Sequence, residues 1–211
     1  MNIRKSAFIA IALLSGGLAN AQWSANVDYA SEYHYRGIFQ DESSASGGVD
    51  YESGGFYAGV WAADVGVGAE TDLYFGYGGE VGGVGLSIGY TGYFYTDDDF
   101  DDTYQEINLG AGFGILSLDV AIGEWGNYGD PELDYTYYAL TLEKNGFYGT
   151  YAGFAQDFEG EYLELGYGAT VSEIDLGVAL ILSNDDLVGW YNDGKDDQSV
   201  IFTIGKSFDL N

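Results

Sequence analysis

In WSANVDYASEYHYR, Trp23 to Arg36, large and apolar side chains fall mainly on odd positions. Ser24, Asn26, Asp28, Glu32, His34 and Arg36 fall on even ones. Successive side chains of a strand point to opposite faces, so this pattern predicts a strand with one apolar and one polar face. Glu32, His34 and Arg36, spaced i, i+2, i+4, are then expected to share the polar face.

The same split recurs along the chain. Leu86, Ile88, Tyr90 and Phe94 oppose Gly85, Ser87, Gly89 and Thr91. Leu116, Leu118, Val120 and Ile122 oppose Ser117, Asp119, Ala121 and Gly123, and Ile174, Leu176, Val178, Leu180 and Leu182 oppose Asp175, Gly177, Ala179, Ile181 and Ser183. The stretches 55–65 and 147–158 carry large residues on both faces, and the pattern does not orient them.

Short connections near residues 53–55, 78–83, 112–115, 144–146 and 172–174 alternate with longer, acidic ones near 37–44, 64–69, 96–102, 124–134, 157–160 and 184–197. Asn145-Gly146 is a strong two-residue hairpin signal. These connections imply twelve strands of roughly ten residues, a length suited to tilted membrane strands. An even strand number, with short turns at one end and long loops at the other, is the pattern of an outer-membrane barrel. Only a closed barrel lets strands cross lipid without unpaired backbone groups.

Composition agrees. The 211 residues hold 34 acids and 6 Lys or Arg, a formal charge of −28, yet 46% are apolar and 17% aromatic, which excludes a disordered acidic chain. Phosphate partners demand cations, so nucleic acid is excluded. The absence of Cys removes disulfides and thiolate chemistry, and a single Pro beside 34 Gly suits a chain that is mostly paired strand. Residues 1–21 read as a cleaved signal peptide: Arg4 and Lys5, an apolar run to Ala19, then Ala19-Asn20-Ala21. Residues 22–211 form one expected domain. Aromatics near strand ends, among them Trp23, Tyr33, Tyr35, Tyr90, Tyr93, Phe94, Tyr95, Trp125 and Tyr128, suit interfacial girdles. The alternating Val200, Phe202, Ile204, Phe208 and Leu210 end almost at the C-terminus, as expected of a strand read by the barrel-assembly machinery.

SEYHYRGIFQ (31–40), GGVDYESGGFYAGVWAADV (47–65) and ETDLYFGYGGEVGGVGLSIGYTGYFY (70–95) resemble the opening of the TorF family of porins. That family begins with an S-x-Y-x-x-R-G segment. A G-G-x-D-Y…G-F-Y-x-G-x-W hairpin and an E-x-D-L-Y strand follow. The resemblance is looser but collinear after residue 95. It departs at Phe39, where the family often has a small polar residue, and at the C-terminus, where Asp209-Leu210-Asn211 follow Phe208. It implies an outer-membrane barrel and a pore, without naming a solute.

The pore-lining candidates are Asp28, Glu32, His34, Arg36, Asp50, Glu52, Asp72, Glu106 and Asp119, with Glu70, Glu164 and Asp175 in the same register. Glu32, Asp50 and Glu52 are the expected partners of Arg36. An acidic lumen attracts counter-ions, so the expected activity is passive diffusion of small hydrophilic solutes with a preference for cations. His34 lacks a sequence-adjacent partner for nucleophilic catalysis, so no catalytic residue and no cofactor is expected. The acidic runs 96–102 and 192–197 lack the ordered spacing of a calcium loop; solvated loops are expected there, with loose divalent association the lesser alternative. The alternatives to a pore are a plugged structural or adhesive barrel and, more remotely, an outer-membrane lipid hydrolase. The expected partners are outer-membrane lipid, small solutes or cations, and the assembly machinery.

Overall fold

The computed structural model describes residues 21–97, 100–189 and 192–210. The signal peptide expected over 1–21 lies, but for its last residue, outside the described residues. The chain forms β1 (Gln22–Ala30), β2 (Tyr33–Tyr35), β3 (Ile38–Asp41), β4 (Ser44–Ser53), β5 (Phe56–Asp64), β6 (Ala69–Val81) and β7 (Val84–Tyr95). Then come β8 (Tyr104–Phe113), β9 (Leu116–Trp125), β10 (Leu133–Lys144), β11 (Phe147–Gln156), β12 (Glu161–Val171), β13 (Ile174–Ser183), α1 (Asp185–Val188) and β14 (Asp197–Asp209). β1 and β4 to β14 make a closed antiparallel barrel of twelve strands, sealed by the pairing of β1 with β14; β2 and β3 form a separate two-stranded hairpin.

Five connections between neighbouring wall strands are tight turns of two residues: Gly54-Gly55, Gly82-Gly83, Gly114-Ile115, Asn145-Gly146 and Ser172-Glu173. Asn145 and Gly146 have φ of 56° and 83°, the left-handed backbone that matches the twist of flanking strands. All five lie at the end of the barrel where β1 begins and β14 ends; the longer loops lie at the other.

The outward face is apolar. Val27, Leu73, Phe75, Ile88, Ile122 and Phe202 are among its exposed side chains. A continuous exposed apolar belt on a closed barrel is the surface that lipid covers. The two ambiguous stretches are now oriented. Phe56 and Val60 point out while Tyr57 and Trp61 point in; Phe147 and Tyr151 point out while Tyr148 and Phe154 point in.

Several expected girdle aromatics point inward instead. Tyr93 is 2% exposed, and Trp125 donates its indole N–H to Asp101 at 2.9 Å. Their parity explains this, because Tyr93 and Tyr95 continue the polar face of Ser87, Gly89 and Thr91. Large inward rings need room, which inward glycines supply. A Cβ at Gly166 would lie 2.3 Å from the Tyr148 ring, and one at Gly59 would lie 2.5 Å from Tyr74.

Candidate functional site

The wall strand β1 ends at Ala30, although sequence alternation continues to Arg36. This corrects the placement of Glu32, His34 and Arg36 on one wall face. The chain leaves the wall and forms the β2–β3 hairpin, which turns at Arg36-Gly37. Both residues have positive φ, 50° and 81°, and Tyr35 pairs with Ile38 across them. This is the primed two-residue geometry that favours Gly at its second position. A Cβ at Gly37 would also meet the Tyr162 ring at 2.6 Å.

The hairpin folds into the lumen and is anchored to strands around it. The Tyr33 hydroxyl donates to Glu70 on β6 at 2.6 Å, and its ring lies 6.1 Å from that of Trp61 on β5. Tyr35 meets the Tyr93 ring on β7 edge-on at 5.5 Å. Ser183 on β13 donates to the Gly37 carbonyl at 2.6 Å. The expected membrane-facing positions of Tyr33 and Tyr35 are therefore corrected: both point inside.

Arg36 is the centre of the site. Its two terminal nitrogens donate to the two oxygens of Glu106 on β8, at 2.8 and 2.7 Å. The carboxylate also accepts from Tyr93 (2.8 Å), Tyr135 (2.7 Å) and Asn108 (2.6 Å). The guanidinium lies 4.1 Å from the ring centroid of Tyr137 on β10. The expected partners Glu32, Asp50 and Glu52 are not the ones used. A bidentate pair with every acceptor position filled is the arrangement that compensates charges withdrawn from water.

The other candidates are dispersed. Asp28 accepts from Asn26 at 2.8 Å, and Asp50 accepts from the Tyr74 hydroxyl. Glu164 accepts from Tyr148 at 2.5 Å, and Asp175 from Thr170 at 2.5 Å. Glu52 is exposed near the turn end, and Asp119 is half-buried on β9. Asp72 is fully buried in the wall beside the hairpin. His34, 2% exposed, contacts Glu32 through Nε2 at 3.2 Å and lies edge-on to Phe39 at 5.5 Å. Burial lowers its pKa from the ordinary value, against the opposing pull of Glu32 and Asp197. Burial likewise raises that of Asp101 in the β7–β8 loop, although Tyr104 and Trp125 donate to it.

The last loop also turns inward. Asn184 caps α1 by accepting from the Leu187 N–H, and Leu187 and Val188 are buried against Tyr162, Ile181 and Ile201. Between the hairpin and β14 lies a cavity of about 500 Å³, lined by Ser31, Glu32, Phe39, Glu42, Asp197 and Ser199. Among the described residues, no group of three or more His, Cys, Asp or Glu is placed to hold a metal ion.

Tyr135, Tyr137 and Asn108 belong to the site without having been singled out in the sequence, and Tyr93 joins them from the expected girdle. Face parity marks them, since Asn108 follows Glu106 by two and Tyr135 and Tyr137 share one parity on β10.

The closed, twelve-strand antiparallel barrel with an apolar outer belt is of the outer-membrane kind. Residues 15–208 match the model of Gcw_chp, described as a bacterial protein of unknown function, and the chain belongs to that family. No curated protein matches it. Among solved structures, one from work on in-meso crystallization of membrane proteins is similar at 11% identity and TM-score 0.57, over 90% of this chain and 84% of that one. The outer-membrane phospholipase A of Escherichia coli aligns at 12% identity and TM-score 0.45, over 90% of each chain. Pseudomonas aeruginosa OccK2, solved with glucuronate, aligns at 14% identity and TM-score 0.43, over 86% of this chain and 61% of its own. The first likeness supports the fold and nothing beyond it.

Proposed function

We propose that the protein is a narrow outer-membrane pore that passes small hydrophilic solutes and prefers cations. The observation that carries this reading is the charge of the lumen. Asp28, Asp50, Glu70, Asp72, Glu106, Asp119, Glu164 and Asp175 lie on the inward face of the wall, and the one cation the hairpin brings among them, Arg36, is held by Glu106. A low-dielectric lumen with such an excess of one sign concentrates ions of the other. The inward hairpin acts as the constriction and sets the bore. The resemblance of residues 31–95 to TorF-family porins supports the same reading. Reversal potentials in planar bilayers under a KCl gradient test it: a potential near that of K⁺ is expected, and one near that of Cl⁻ refutes the selectivity.

One observation favours a second reading, a plugged barrel that presents its acidic loops: the hairpin is anchored to strands on opposite sides of the lumen. Liposome swelling in sugars separates the two. Swelling supports the pore, and its absence together with silent bilayers supports the plug.

A further inference from the structure

The inward carboxylates of the hairpin layer are served unequally. Glu70 accepts from Tyr33, and Glu106 accepts five hydrogen bonds from Arg36, Tyr93, Tyr135 and Asn108. Asp72 is 0% exposed, and among the described residues neither of its oxygens has a hydrogen-bond partner. The hydroxyls around it are committed elsewhere: Tyr33 donates to Glu70, Tyr93 to Glu106 and Tyr74 to Asp50. The neighbouring cation is committed too, since Arg36 gives both terminal nitrogens to Glu106.

The hairpin covers this carboxyl. The Tyr33 ring lies 6.1 Å from that of Trp61, the cross-strand neighbour of Asp72 on β5, while its hydroxyl reaches Glu70 on β6. Tyr93, the neighbour on β7, meets the Tyr35 ring at 5.5 Å. Both covering rings belong to the hairpin, so water reaches Asp72 when the hairpin withdraws. The charged groups acting on Asp72 are Glu70, Glu106 and Arg36; the tyrosines facing it are Tyr33 on the hairpin, Tyr74 on β6 and Tyr93 on β7. Three carboxylates therefore share one guanidinium. An ionised carboxylate with neither donor nor counter-charge is strongly disfavoured in such a place, and a buried acid escapes the cost by keeping its proton. A proton also needs no room beyond the carboxyl itself, which suits a site with both oxygens closed off.

We infer that Asp72 is a neutral carboxylic acid while the β2–β3 hairpin is seated, and that its proton is a latch which alkaline solution releases. Loss of the proton to hydroxide leaves a bare charge beside Glu70 and Glu106. Water admitted past Tyr33 and Tyr35 relieves that charge, and the hairpin must lift to admit it. The lumen keeps its acidic excess without Asp72, so the inference goes beyond the pore reading and does not depend on it. The sign of the pH effect follows. In the unfolded chain a free aspartate ionises at about pH 3.9. Above that value the folded chain holds one proton more than the unfolded one. The stabilising contribution is therefore complete below about 3.9 and is lost as pH rises toward the ionisation of the buried acid. D72N keeps the shape and cannot ionise. Relative to it, the native chain weakens by up to about tenfold in the folding equilibrium per pH unit.

The test uses the full chain refolded into lipid. Infrared spectra at neutral pH are expected to show a protonated-carboxyl band that shifts when the aspartate carboxyl carbons are isotope-labelled and vanishes in D72N. Urea midpoints of the native chain are expected to fall against those of D72N as pH is raised. Amide-exchange protection of residues 33–41, compared between the two proteins at one alkaline pH so that base catalysis cancels, is expected to be lost in the native chain and kept in D72N. A band that is absent, unmoved by the label or still present in D72N overturns the inference. Parallel midpoints overturn it as well, and equal hairpin protection removes the latch. If D72N does not fold, the label shift and the joint loss of band and hairpin protection in the native chain at high pH decide the matter. None of these readouts needs a conducting barrel, so a silent bilayer refutes the pore reading alone.

Discussion

The two ends of the lumen are built on different principles. Toward the turns, many inward residues are small or hydroxylated, Gly110, Ser117, Thr141, Thr150 and Thr203 among them, and the rings of Tyr57 and Tyr148 lie over the inward glycines Gly76 and Gly166. Toward the loops, the lumen is filled. Tyr93, Tyr135, Tyr137 and Tyr162 are buried there with Glu70, Asp72 and Glu106, and the β2–β3 hairpin closes the layer. The same strands run through both regions, so the wall alone does not decide how the lumen is filled. The loop end is filled by what a loop inserts, held by the Arg36–Glu106 pair together with the Tyr33–Glu70 and Ser183–Gly37 hydrogen bonds.

Breaking that pair is the sharpest test of the contrast. E106A leaves Arg36 buried without its partner, and a loss of about 3–5 kcal/mol of stability is expected, read by urea unfolding in lipid. Because both groups act as a unit, the double variant R36A/E106A is expected to lose less than the sum of the two single losses. Additive losses would mean that the hairpin is held by its other anchors.

The second insertion is tested at Gly160, where φ is 104° and a Cβ would lie 2.3 Å from the backbone nitrogen of Leu187. G160A is expected to cost about 1–3 kcal/mol by displacing α1 from the apolar cluster. Smaller is Y162F, which removes the 2.8 Å hydrogen bond between the Tyr137 and Tyr162 hydroxyls, for a loss of about 1 kcal/mol in the same assay.

A pH effect follows from His34. Its folded pKa lies below the ordinary value, roughly 6.5, because burial disfavours the imidazolium. The unfolded chain therefore takes up the proton first as pH falls. The stabilising contribution is complete above about 6.5 and is lost as pH drops through the lowered folded value. Unfolding midpoints between neutral and mildly acidic pH are expected to fall faster for the native chain than for H34N; equal slopes would remove His34 from the account. The smallest effect belongs to the turn end. A Cβ at Gly168 meets nothing nearer than the Leu176 carbonyl at 3.8 Å, so G168A is expected to change stability by less than about 0.5 kcal/mol. A large loss there would mean that the turn end is packed as tightly as the loop end.

Much of this was legible in the residues. The alternating short and long connections set the strand count, and period-two alternation set the apolar belt and the inward register of Glu70, Asp72 and Glu106, because a strand offers only two faces. Tyr93 and Tyr95 were misread as girdle residues, since their position near a strand end outweighed their parity. The hairpin was hidden for a related reason. Ser31 to Arg36 keep the alternation of β1, and nothing local says that the chain has left the wall. Arg36-Gly37 carried the available hint, a Gly at the second position of a two-residue turn, and it read as an exit into a loop.

The sequence alone determined a closed twelve-strand barrel with an acidic interior, because face alternation and turn chemistry are local properties that each strand states for itself. Only the tertiary structure decided that Arg36 meets Glu106, 70 residues away, and that Asp72 finds no donor among the described residues. Which side chains meet across a lumen depends on barrel closure and on how far a loop reaches inside. Neither distance is written in any single strand.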